Sequence, residues 1–373
     1  MKKIVQCSRA IAEAVKLCRP GVIPVYPITP QTLIPEALSE FVNNGELKSE
    51  MIYVESEHSA LSACIGASAA GVRTFTASAS QGLALMHEVL FIASGLRLPI
   101  VMTVANRALS APINIYGDHQ DSVSERDSGW VQFYVADSQE AHDTIFHAYK
   151  VAEKIFLPVM VCVDGFTLTH VFEPVDLLAE KDADKFLGDF VPAFKLDPDN
   201  PVTMGPVAYP EDYMKCKIQQ QDAMLKSVSL IKEVNRQFKY FFGRSYGDGL
   251  VEEYRVNDAD LVFVCMGSMS GTVKVVVDEL RDKGKKVGLL RVRCFRPFPK
   301  ESLRSSLKDV KALVVYDRNI SLGSDGALYS EVKALFPDKK VKGYVIGLGG
   351  VDITPKHIFR SIIEFNKEVG WLL

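Results

Sequence analysis

The segment VIPVYPITPQTLIPEALSEFVN, residues 22–43, indicates the fold class of the chain most clearly. Its first five residues are apolar and mostly β-branched, which predicts a strand over 22–26. Residues 33–43 have the spacing of an amphipathic helix. The prolines between them restrict the backbone. The loop is therefore either a rigid connection only, or a support that holds a polar side chain, Thr29, at the carboxyl end of the strand.

The same order, an apolar strand and then a helix, repeats as far as about residue 166. Further strands are predicted over 51–54, 73–77, 99–105, 131–136 and 158–164, and helices over 57–70, 82–95 and 138–154. Nearly apolar strands that are separated by helices predict a parallel sheet with helices on both faces.

A second, smaller α/β unit is predicted after a polar segment. Residues 173–210 are rich in Asp, Pro and Lys, and a long helix with a charged face follows over 211–242. We interpret both as a connector arm, about 173–245, within a first domain of residues 1–245. The second domain, 256–373, has predicted strands over 260–268, 287–295, 312–317 and 344–349, and helices over 270–283, 299–307 and 325–335.

The composition is that of a globular protein without a strong charge bias. The chain has 373 residues, of which 47% are hydrophobic, and a net charge of −3. That balance does not suggest nucleic acid or an anionic membrane surface as a partner. No apolar run is long enough to span a bilayer, and the first residues lack the pattern of a signal peptide. We expect a cytoplasmic protein.

The cysteines lie far apart in the sequence. There are seven, none in a CxxC pair and no two within ten positions of each other. This spacing argues against a zinc site or an iron–sulfur cluster that is ligated within this chain. Most of them lie in apolar segments, so we expect buried thiols in a reducing compartment.

A helix of small residues follows the second predicted strand, within VESEHSALSACIGASAAG, residues 54–71. Ala, Ser and Gly along a helix let another backbone or a flat ligand approach closely. Glu57 lies in its first turn. Its carboxylate either stabilises the positive end of the helix dipole or belongs to a site at the end of the strand.

Two more polar features follow predicted strands. The turn at residues 78–82, within FTASASQGL, either offers N–H groups to an anion or only caps a helix. Arg107 comes directly after the strand over 99–105 and either grips a carboxylate or forms a salt bridge with a nearby acid. The loop GDHQD, residues 117–121, suits a mobile cover as well as a surface turn.

These residues share one predicted edge, because the carboxyl ends of parallel strands meet at the same side of a sheet. Together they indicate a site for a small carboxylate beside a flat cofactor. The sequence shows no convincing nucleophile–base pair and no metal cluster. A nicotinamide dehydrogenase is disfavoured, because no glycine fingerprint follows a strand with an acid downstream.

In their order along the chain, several segments resemble the α subunit of pyruvate:ferredoxin oxidoreductases, the pyruvate synthases. They are YPITPQT (26–32), VESEHSALSACIGASAAG (54–71), FTASASQGLALMHE (75–88), ASGLRLPIVM (93–102), NRALSAPINI (106–115), GDHQDS (117–122), DGFTLTH (164–170), MGSMSGT (266–272), FRPFP (295–299) and GLGG (347–350). The resemblance implies a parallel sheet of the thiamine-diphosphate-binding, pyrimidine-domain type. It also implies a second, transketolase-C-terminal-like α/β domain.

The resemblance also implies roles for residues. Glu57 matches the glutamate that hydrogen-bonds the aminopyrimidine ring of thiamine diphosphate, and so would be catalytic and cofactor-binding. Thr29 and Arg107 match the residues that orient the 2-oxoacid and bind its carboxylate. The apolar side chains Ile28 and Leu109, with Pro112 and Ile113, are candidates for a wall that closes on a methyl group.

The implied reaction is the reversible, CoA-dependent decarboxylation of pyruvate to acetyl-CoA and CO₂ with reduction of ferredoxin. A β subunit would hold the diphosphate and Mg²⁺, and partner subunits, including γ and δ, would carry the [4Fe–4S] clusters. Alternatives are a subunit for branched-chain 2-oxoacids or 2-oxoglutarate, or a non-catalytic assembly subunit.

Overall fold

The computed structural model describes residues 2–363 and 370–372. The helices are α1 (Cys7–Cys18), α2 (Leu33–Asn43), α3 (Glu57–Ala69), α4 (Ser80–Leu85), α5 (His87–Gly95), α6 (Gln120–Ser124), α7 (Ser138–Ile155), α8 (Glu180–Leu187), α9 (Pro210–Phe242), α10 (Met269–Asp282), α11 (Lys300–Leu307), α12 (Ala327–Leu335) and α13 (Pro355–Ile363). The strands are β1 (Lys2–Gln6), β2 (Val22–Val25), β3 (Glu50–Tyr53), β4 (Phe75–Ser78), β5 (Val101–Asn106), β6 (Val131–Tyr134), β7 (Val159–Asp164), β8 (Phe172–Asp176), β9 (Val251–Tyr254), β10 (Leu261–Cys265), β11 (Val287–Val292), β12 (Cys294–Arg296), β13 (Ala312–Asp317), β14 (Lys340–Ile346) and β15 (Gly370–Leu372).

The first sheet is built around parallel strands in the order β6-β7-β5-β4. The parallel pair β2–β3 continues it through a single bridge between Val22 and Thr74. Helices α1, α2 and α7 pack together, and α3, α4 and α5 form a second group. The predicted parallel sheet with helices on both faces is confirmed.

The second sheet has the order β15-β14-β13-β10-β11-β9, in which only β9 is antiparallel to its neighbour. The predicted single strand over 287–295 is wrong. It divides into β11, in the second sheet, and β12, which pairs antiparallel with β6 of the first sheet. An apolar run shows that a strand forms but not which sheet it joins, so this crossing could not be found from local pattern.

The predicted helix over 82–95 is also wrong, because the structure has two helices there. Helix α4 ends at Leu85 and α5 begins at His87, on either side of Met86. The N–H of Met86 donates to the carbonyl oxygens of Gly82 and Leu83 in a closing turn, and its side chain is fully buried.

Part of the connector arm, residues 173–245, contributes to the hydrophobic core. Phe186 of α8 is buried, and its ring centroid lies 5.2 Å from that of Phe238 in α9. The second half of α9 buries a face that packs on α7. Only a few large apolar residues make these contacts, and they lie in a segment that is mostly polar. The composition of the segment therefore did not indicate them.

The domain boundaries at 245 and 256 stay a prediction. Strand β9, at Val251–Tyr254, already belongs to the second sheet. One buried hydrophobic cluster extends from the first sheet to one face of the second, and a separate cluster fills the other face.

Two further expectations concern membrane-spanning segments and the burial of the thiols. In the described part of the chain, no helix combines the length and apolar character needed to cross a membrane. Six of the cysteines are buried and Cys216 is exposed, as expected for most of them.

Candidate active site

Glu57 lies in a buried position at the first turn of α3. The hydroxyl of Ser56 caps this helix by accepting a hydrogen bond from the N–H of Ser59 at 3.3 Å. Glu57 is only 6% exposed. Within residues 2–363 and 370–372, no hydrogen bond or ion pair involves its carboxylate. A buried carboxylate without a partner is a costly arrangement that a ligand can relieve.

The start of α4 lies directly against this carboxylate. A Cβ atom on Gly82 would be 2.4 Å from Glu57 Oε1 and 2.7 Å from Ser78 Oγ, so only glycine leaves room for both groups. The Ser78 hydroxyl is buried and has no partner among the described residues. Glu57, Ser78 and Gly82 therefore pack closely together near the carboxyl ends of β3 and β4.

Thr29 and Arg107 meet at the same edge of the sheet. Arg107 Nη1 donates to the carbonyl oxygen of Thr29 at 3.0 Å, and Arg107 Nε donates to that of Asn114 at 2.9 Å. The expectation that Thr29 and Arg107 lie together is confirmed. Their roles toward a substrate stay a prediction.

Arg107 is 7% exposed, yet no ion pair with a described residue involves its guanidinium. The alternative in which Arg107 serves an internal salt bridge is therefore wrong. Its Nη2 atom donates no hydrogen bond within the described residues. Burial lowers the pKa of the guanidinium from its usual value, and the nearby Asp121 carboxylate opposes that shift. The group remains a cation at neutral pH and is available to an anion.

Internal hydrogen bonds stabilise the proline-rich loop that follows β2. The side-chain Nε2 of Gln31 donates to the carbonyl oxygen of Tyr26 at 2.8 Å, and the Gln31 N–H donates to that of Ile28 at 2.9 Å. Gln31 is fully buried, whereas Thr29 is exposed and its hydroxyl has no described partner. The loop thus presents the Thr29 side chain on a rigid support.

Sequence reasoning missed the role of Asp121. Its carboxylate accepts hydrogen bonds from the N–H groups of Ser80 and Arg107, both at 2.9 Å, and from Asn106 Nδ2 at 2.7 Å. Burial raises the pKa of Asp121 to about 6, and these donors act against that rise. The anion bound by the turn at 78–82 is therefore an internal one, at least at Ser80. The available signal was an acid in a polar loop beyond β5.

The loop over 117–121 is neither a mobile cover nor a surface turn. Asp118, His119 and Asp121 are buried in it. The N–H of Gly349 donates to Asp118 Oδ2 at 3.0 Å, so the loop is bound to the second sheet's side of the molecule. Sequence alone could not show this contact, because it joins segments far apart in the chain.

A buried ionic cluster lies beside that loop. Asp164 Oδ1 is 2.6 Å from His119 Nε2 and 3.0 Å from Arg318 Nη1, and Asp164 Oδ2 accepts from the N–H of Ser268 at 2.8 Å. Burial alone raises the pKa of Asp164, but Arg318 and His119 outweigh it and hold this pKa well below its usual range. The cluster ties β7 to both the loop and the second sheet.

The turn over 78–82 joins the two halves of the site. The hydroxyl of Ser80 donates to the carbonyl oxygen of Ala108, next to Arg107, while Gly82 lies against Glu57. The predicted elements, Thr29, Glu57, this turn and Arg107, therefore share one edge of the sheet. Within the described part of the chain, the cation Arg107 and the anion Glu57 have no ion-pair partner there.

The family models match both parts of the chain. Residues 13–236 match pyruvate flavodoxin/ferredoxin oxidoreductase, thiamine diphosphate-binding, and residues 259–358 match pyruvate:ferredoxin oxidoreductase core domain II. The fold and these matches define a thiamine-diphosphate-binding oxidoreductase subunit. Within that class, the chain belongs to the pyruvate:ferredoxin oxidoreductase family.

Curated relatives are similar over nearly their whole length. The chain is 54% identical to pyruvate synthase subunit PorA of Methanothermobacter thermautotrophicus, over 99% of this chain and 97% of the relative. It is 58% identical to the same subunit of Methanocaldococcus jannaschii, over 98% and 95%. It is also 45% identical to ketoisovalerate oxidoreductase subunit VorA of Pyrococcus abyssi, over 100% and 97%.

A solved structure shares the fold. It is the 2-oxoglutarate:ferredoxin oxidoreductase of Magnetococcus marinus with 2-oxoglutarate, coenzyme A and succinyl-CoA bound. The TM-score is 0.76 at 20% sequence identity, and the match covers 98% of this chain and 65% of that one. At this identity the likeness supports the fold alone.

Proposed function

We propose that the chain is the α subunit of a pyruvate synthase, a multi-subunit enzyme that decarboxylates pyruvate oxidatively to acetyl-CoA and CO₂ and reduces ferredoxin. The same complex carries out the reverse reaction. Its relatives named pyruvate synthase subunit PorA support this assignment, at 54% and 58% identity over nearly the full chain.

The observation that carries the proposal is a pair of buried, oppositely charged side chains that have no ion-pair partner among the described residues. Glu57 and Arg107 lie at one edge of the sheet and are 6% and 7% exposed. Removing an isolated charge from water costs several kcal/mol, so buried charges are normally paired. Ligands that supply a hydrogen-bonding ring and a carboxylate would satisfy both groups.

The buried, unpaired carboxylate of Glu57 suits the pyrimidine end of thiamine diphosphate. Glycine at position 82 leaves space beside the carboxylate, where a Cβ atom would lie 2.4 Å from Glu57 Oε1. When bound, thiamine diphosphate supplies the carbon nucleophile for the 2-oxo carbon. Glu57 accepts a hydrogen bond from a ring nitrogen and holds a proton there, which favours the ring tautomer that acts as a base.

Arg107 and Thr29 bind and orient the oxoacid. The free Nη2 of Arg107 donates to the carboxylate of pyruvate, while its Nε and Nη1 stay fixed on backbone carbonyls. The exposed Thr29 hydroxyl donates to the oxo group. Because the loop around Gln31 is rigid, this donor is in place before the substrate arrives.

The remaining parts of the enzyme are assigned to partner subunits. We place the diphosphate and Mg²⁺ on the β subunit, and the [4Fe–4S] clusters on partners that include γ and δ. CoA is a co-substrate, ferredoxin is the electron acceptor, and the complex is cytoplasmic. These assignments rest on the family resemblance.

Reconstitution tests the proposal. Co-expression with the partner subunits is expected to give a brown complex that reduces methyl viologen with pyruvate and CoA. The chain purified alone should be inactive and should bind neither iron nor thiamine diphosphate tightly. Turnover by the single chain, or an assembled complex that is inactive with every 2-oxoacid, would contradict the assignment.

Substrate choice is the first prediction, and the VorA relative makes branched-chain acids the competing candidate. The proposed wall is Ile28 and Leu109, both half-buried, with the exposed Pro112 and Ile113. One methylene changes discrimination by only about 1–3 kcal/mol, so preference rather than exclusivity is expected. We expect pyruvate to have the highest kcat/KM, then 2-oxobutyrate, with branched acids well behind.

A panel of 2-oxoacids on the reconstituted complex checks this order. If 2-oxoisovalerate or 2-oxoglutarate had the highest kcat/KM, the pyruvate assignment would be wrong and the family assignment would stand. The non-catalytic alternative is disfavoured by the position of Thr29, Glu57 and Arg107 at one edge.

A further inference from the structure

Asp121 connects two loops that carry the site. Its Oδ2 accepts from the N–H groups of Ser80 and Arg107, and its Oδ1 accepts from Asn106 Nδ2 and from the N–H of Ser122 at 2.7 Å. The carboxylate is only 2% exposed. It therefore ties the end of β5 to the start of α4, which lies against Glu57.

One of these donors lies in an unfavourable backbone conformation. Ser80 has φ of +49°, in the left-handed region, which is unfavourable for a residue with a side chain. Such a conformation persists only where the surroundings hold it. The hydrogen bond from its N–H to Asp121, and the one from its hydroxyl to Ala108, supply that support.

The segment that carries Asp121 is itself fixed from the second sheet's side. Arg318 Nη2 donates to the carbonyl oxygen of Gly117 at 2.7 Å, and the N–H of Ile320 donates to Gln120 Oε1 at 3.0 Å. Arg318 and Ile320 follow β13 in the second sheet. Contacts outside the site therefore set the position of Asp121. Because Asp121 binds Ser80 and Arg107, a shift in its position would also move these residues of the site.

We propose that Asp121 is a positioning residue for Arg107 and for the turn against Glu57. Its carboxylate holds the Arg107 N–H, while the guanidinium reaches the substrate. The inference rests on the proposed function, in which Arg107 binds the oxoacid carboxylate. Without Asp121, the main chain at Arg107 and Ser80 loses a shared anchor and the guanidinium is misplaced.

Asp121→Ala in the reconstituted complex tests this role. Misplacement of a binding group by about 1 Å costs up to about 100-fold in rate, so we expect kcat/KM for pyruvate to fall about 10- to 100-fold, mainly through a higher KM. Hydrogen exchange of the backbone amides of Ser80 and Arg107 should become faster. Asp121→Asn should shift both readouts in the same direction but less, because its single oxygen can serve only one pair of donors.

Asp248→Ala is the matched control. Asp248 also accepts hydrogen bonds from two backbone N–H groups, of Leu250 and Val251, both at 2.9 Å, but away from this edge. It should leave the KM and the exchange at Ser80 and Arg107 unchanged. A merely structural role of Asp121 would lower the amount of assembled complex without raising the KM of what remains.

The proposal is overturned if either Asp121 variant assembles with the KM and the local exchange of the unaltered complex. Should Asp121→Ala not assemble, Asp121→Asn decides. Failure of the proposed function would give a different result, because the unaltered complex itself would then not turn over pyruvate. The exchange measurement needs no turnover and would still test Asp121.

Discussion

Glu57 sits where two explanations compete, a helix-dipole role and a ligand role. A carboxylate in a helix's first turn gains about 0.3–1 kcal/mol from the dipole. Burying it without a partner costs several kcal/mol, which the dipole cannot offset. Glu57 is 6% exposed and unpaired within the described residues, so the balance favours a ligand.

Glu57→Gln is expected to lower turnover about 10²–10⁴-fold, because a hydrogen-bonding acid–base group is replaced by one that cannot hold a proton in the same way. Assembly of the complex should be nearly unchanged. The measurement is pyruvate-dependent viologen reduction. Glu301→Gln, in the first turn of α11, is the control for a dipole role and should leave turnover unaltered. Turnover near that of the unaltered complex would favour the dipole explanation of Glu57.

Arg107 offers a second test. In the unaltered protein, the guanidinium of Arg107 donates to Asn114 and Thr29 and still has Nη2 free. Arg107→Lys keeps the positive charge but loses this set of donors. We expect both Arg107→Lys and Arg107→Ala to raise the KM for pyruvate, with the larger rise for Ala. Steady-state kinetics over a range of pyruvate concentrations check this. An unchanged KM in Arg107→Ala would show that the arginine does not bind the carboxylate.

At the level of elements, the site depends on two helices that begin at the same place. Helix α3 starts at Glu57 after β3, and α4 starts at Ser80 after β4. Their first turns are so close that the position of Gly82 has no room for a side chain. Parallel strands make this possible, because each strand delivers the helix that follows it to the same edge.

Gly82→Ala should therefore disturb the site, although the substitution introduces no polar or charged group. The new methyl group would lie 2.4 Å from Glu57 Oε1, so the carboxylate must move. We expect a marked loss of turnover and weaker binding of thiamine diphosphate, measured by titrating the cofactor into the depleted complex. Gly271→Ala in α10 is the control, since no neighbouring atom in the described part of the chain lies within 4 Å of its Cβ position. Equal behaviour of the two variants would contradict the close contact.

For the molecule as a whole, the ionic cluster at Asp164 joins the two sheets. Asp164 ends β7, whereas Ser268 precedes α10 and Arg318 follows β13. All these side-chain contacts are buried or half-buried. Removing one member of a buried pair leaves the other charge without compensation, which typically costs about 3–5 kcal/mol.

Asp164→Asn should lower the free energy of unfolding by about 3–5 kcal/mol at neutral pH. The folded-state pKa of Asp164 is depressed, so its contribution is fully present above the unfolded pKa of about 4 and is lost as the pH falls further. The difference between variant and unaltered protein should therefore be constant from neutral pH to about pH 5 and shrink below about pH 4. Denaturation followed by circular dichroism measures it.

The exposed Asp260→Asn is the control for this experiment. Asp260 pairs with Lys311 at the surface, where water screens the interaction, so its removal should have little effect. A loss of stability in Asp164→Asn that did not diminish in acid would contradict the ionic explanation.

Much of the fold could be predicted from local pattern. The strands from β2 to β7 and the helices α2, α3, α7 and α9 were found to within about two residues, because their periodicity is strong. The division at Met86 was missed, since a buried turn between two apolar helices has no separate periodicity. The placement of Thr29 beside Arg107 was predicted because both follow parallel strands.

Local sequence pattern is sufficient to predict the alternation of strands and helices, and with it the edge where Thr29, Glu57 and Arg107 meet. The tertiary packing set which partners those residues have: Glu57 and Arg107 have no ion-pair partner among the described residues, and Asp121 accepts from the backbone N–H of Arg107. It also decided that β12 leaves its own sheet for β6. The physical reason is that periodicity reflects local burial, whereas such pairings depend on which distant surfaces pack together, and that is a property of the whole chain.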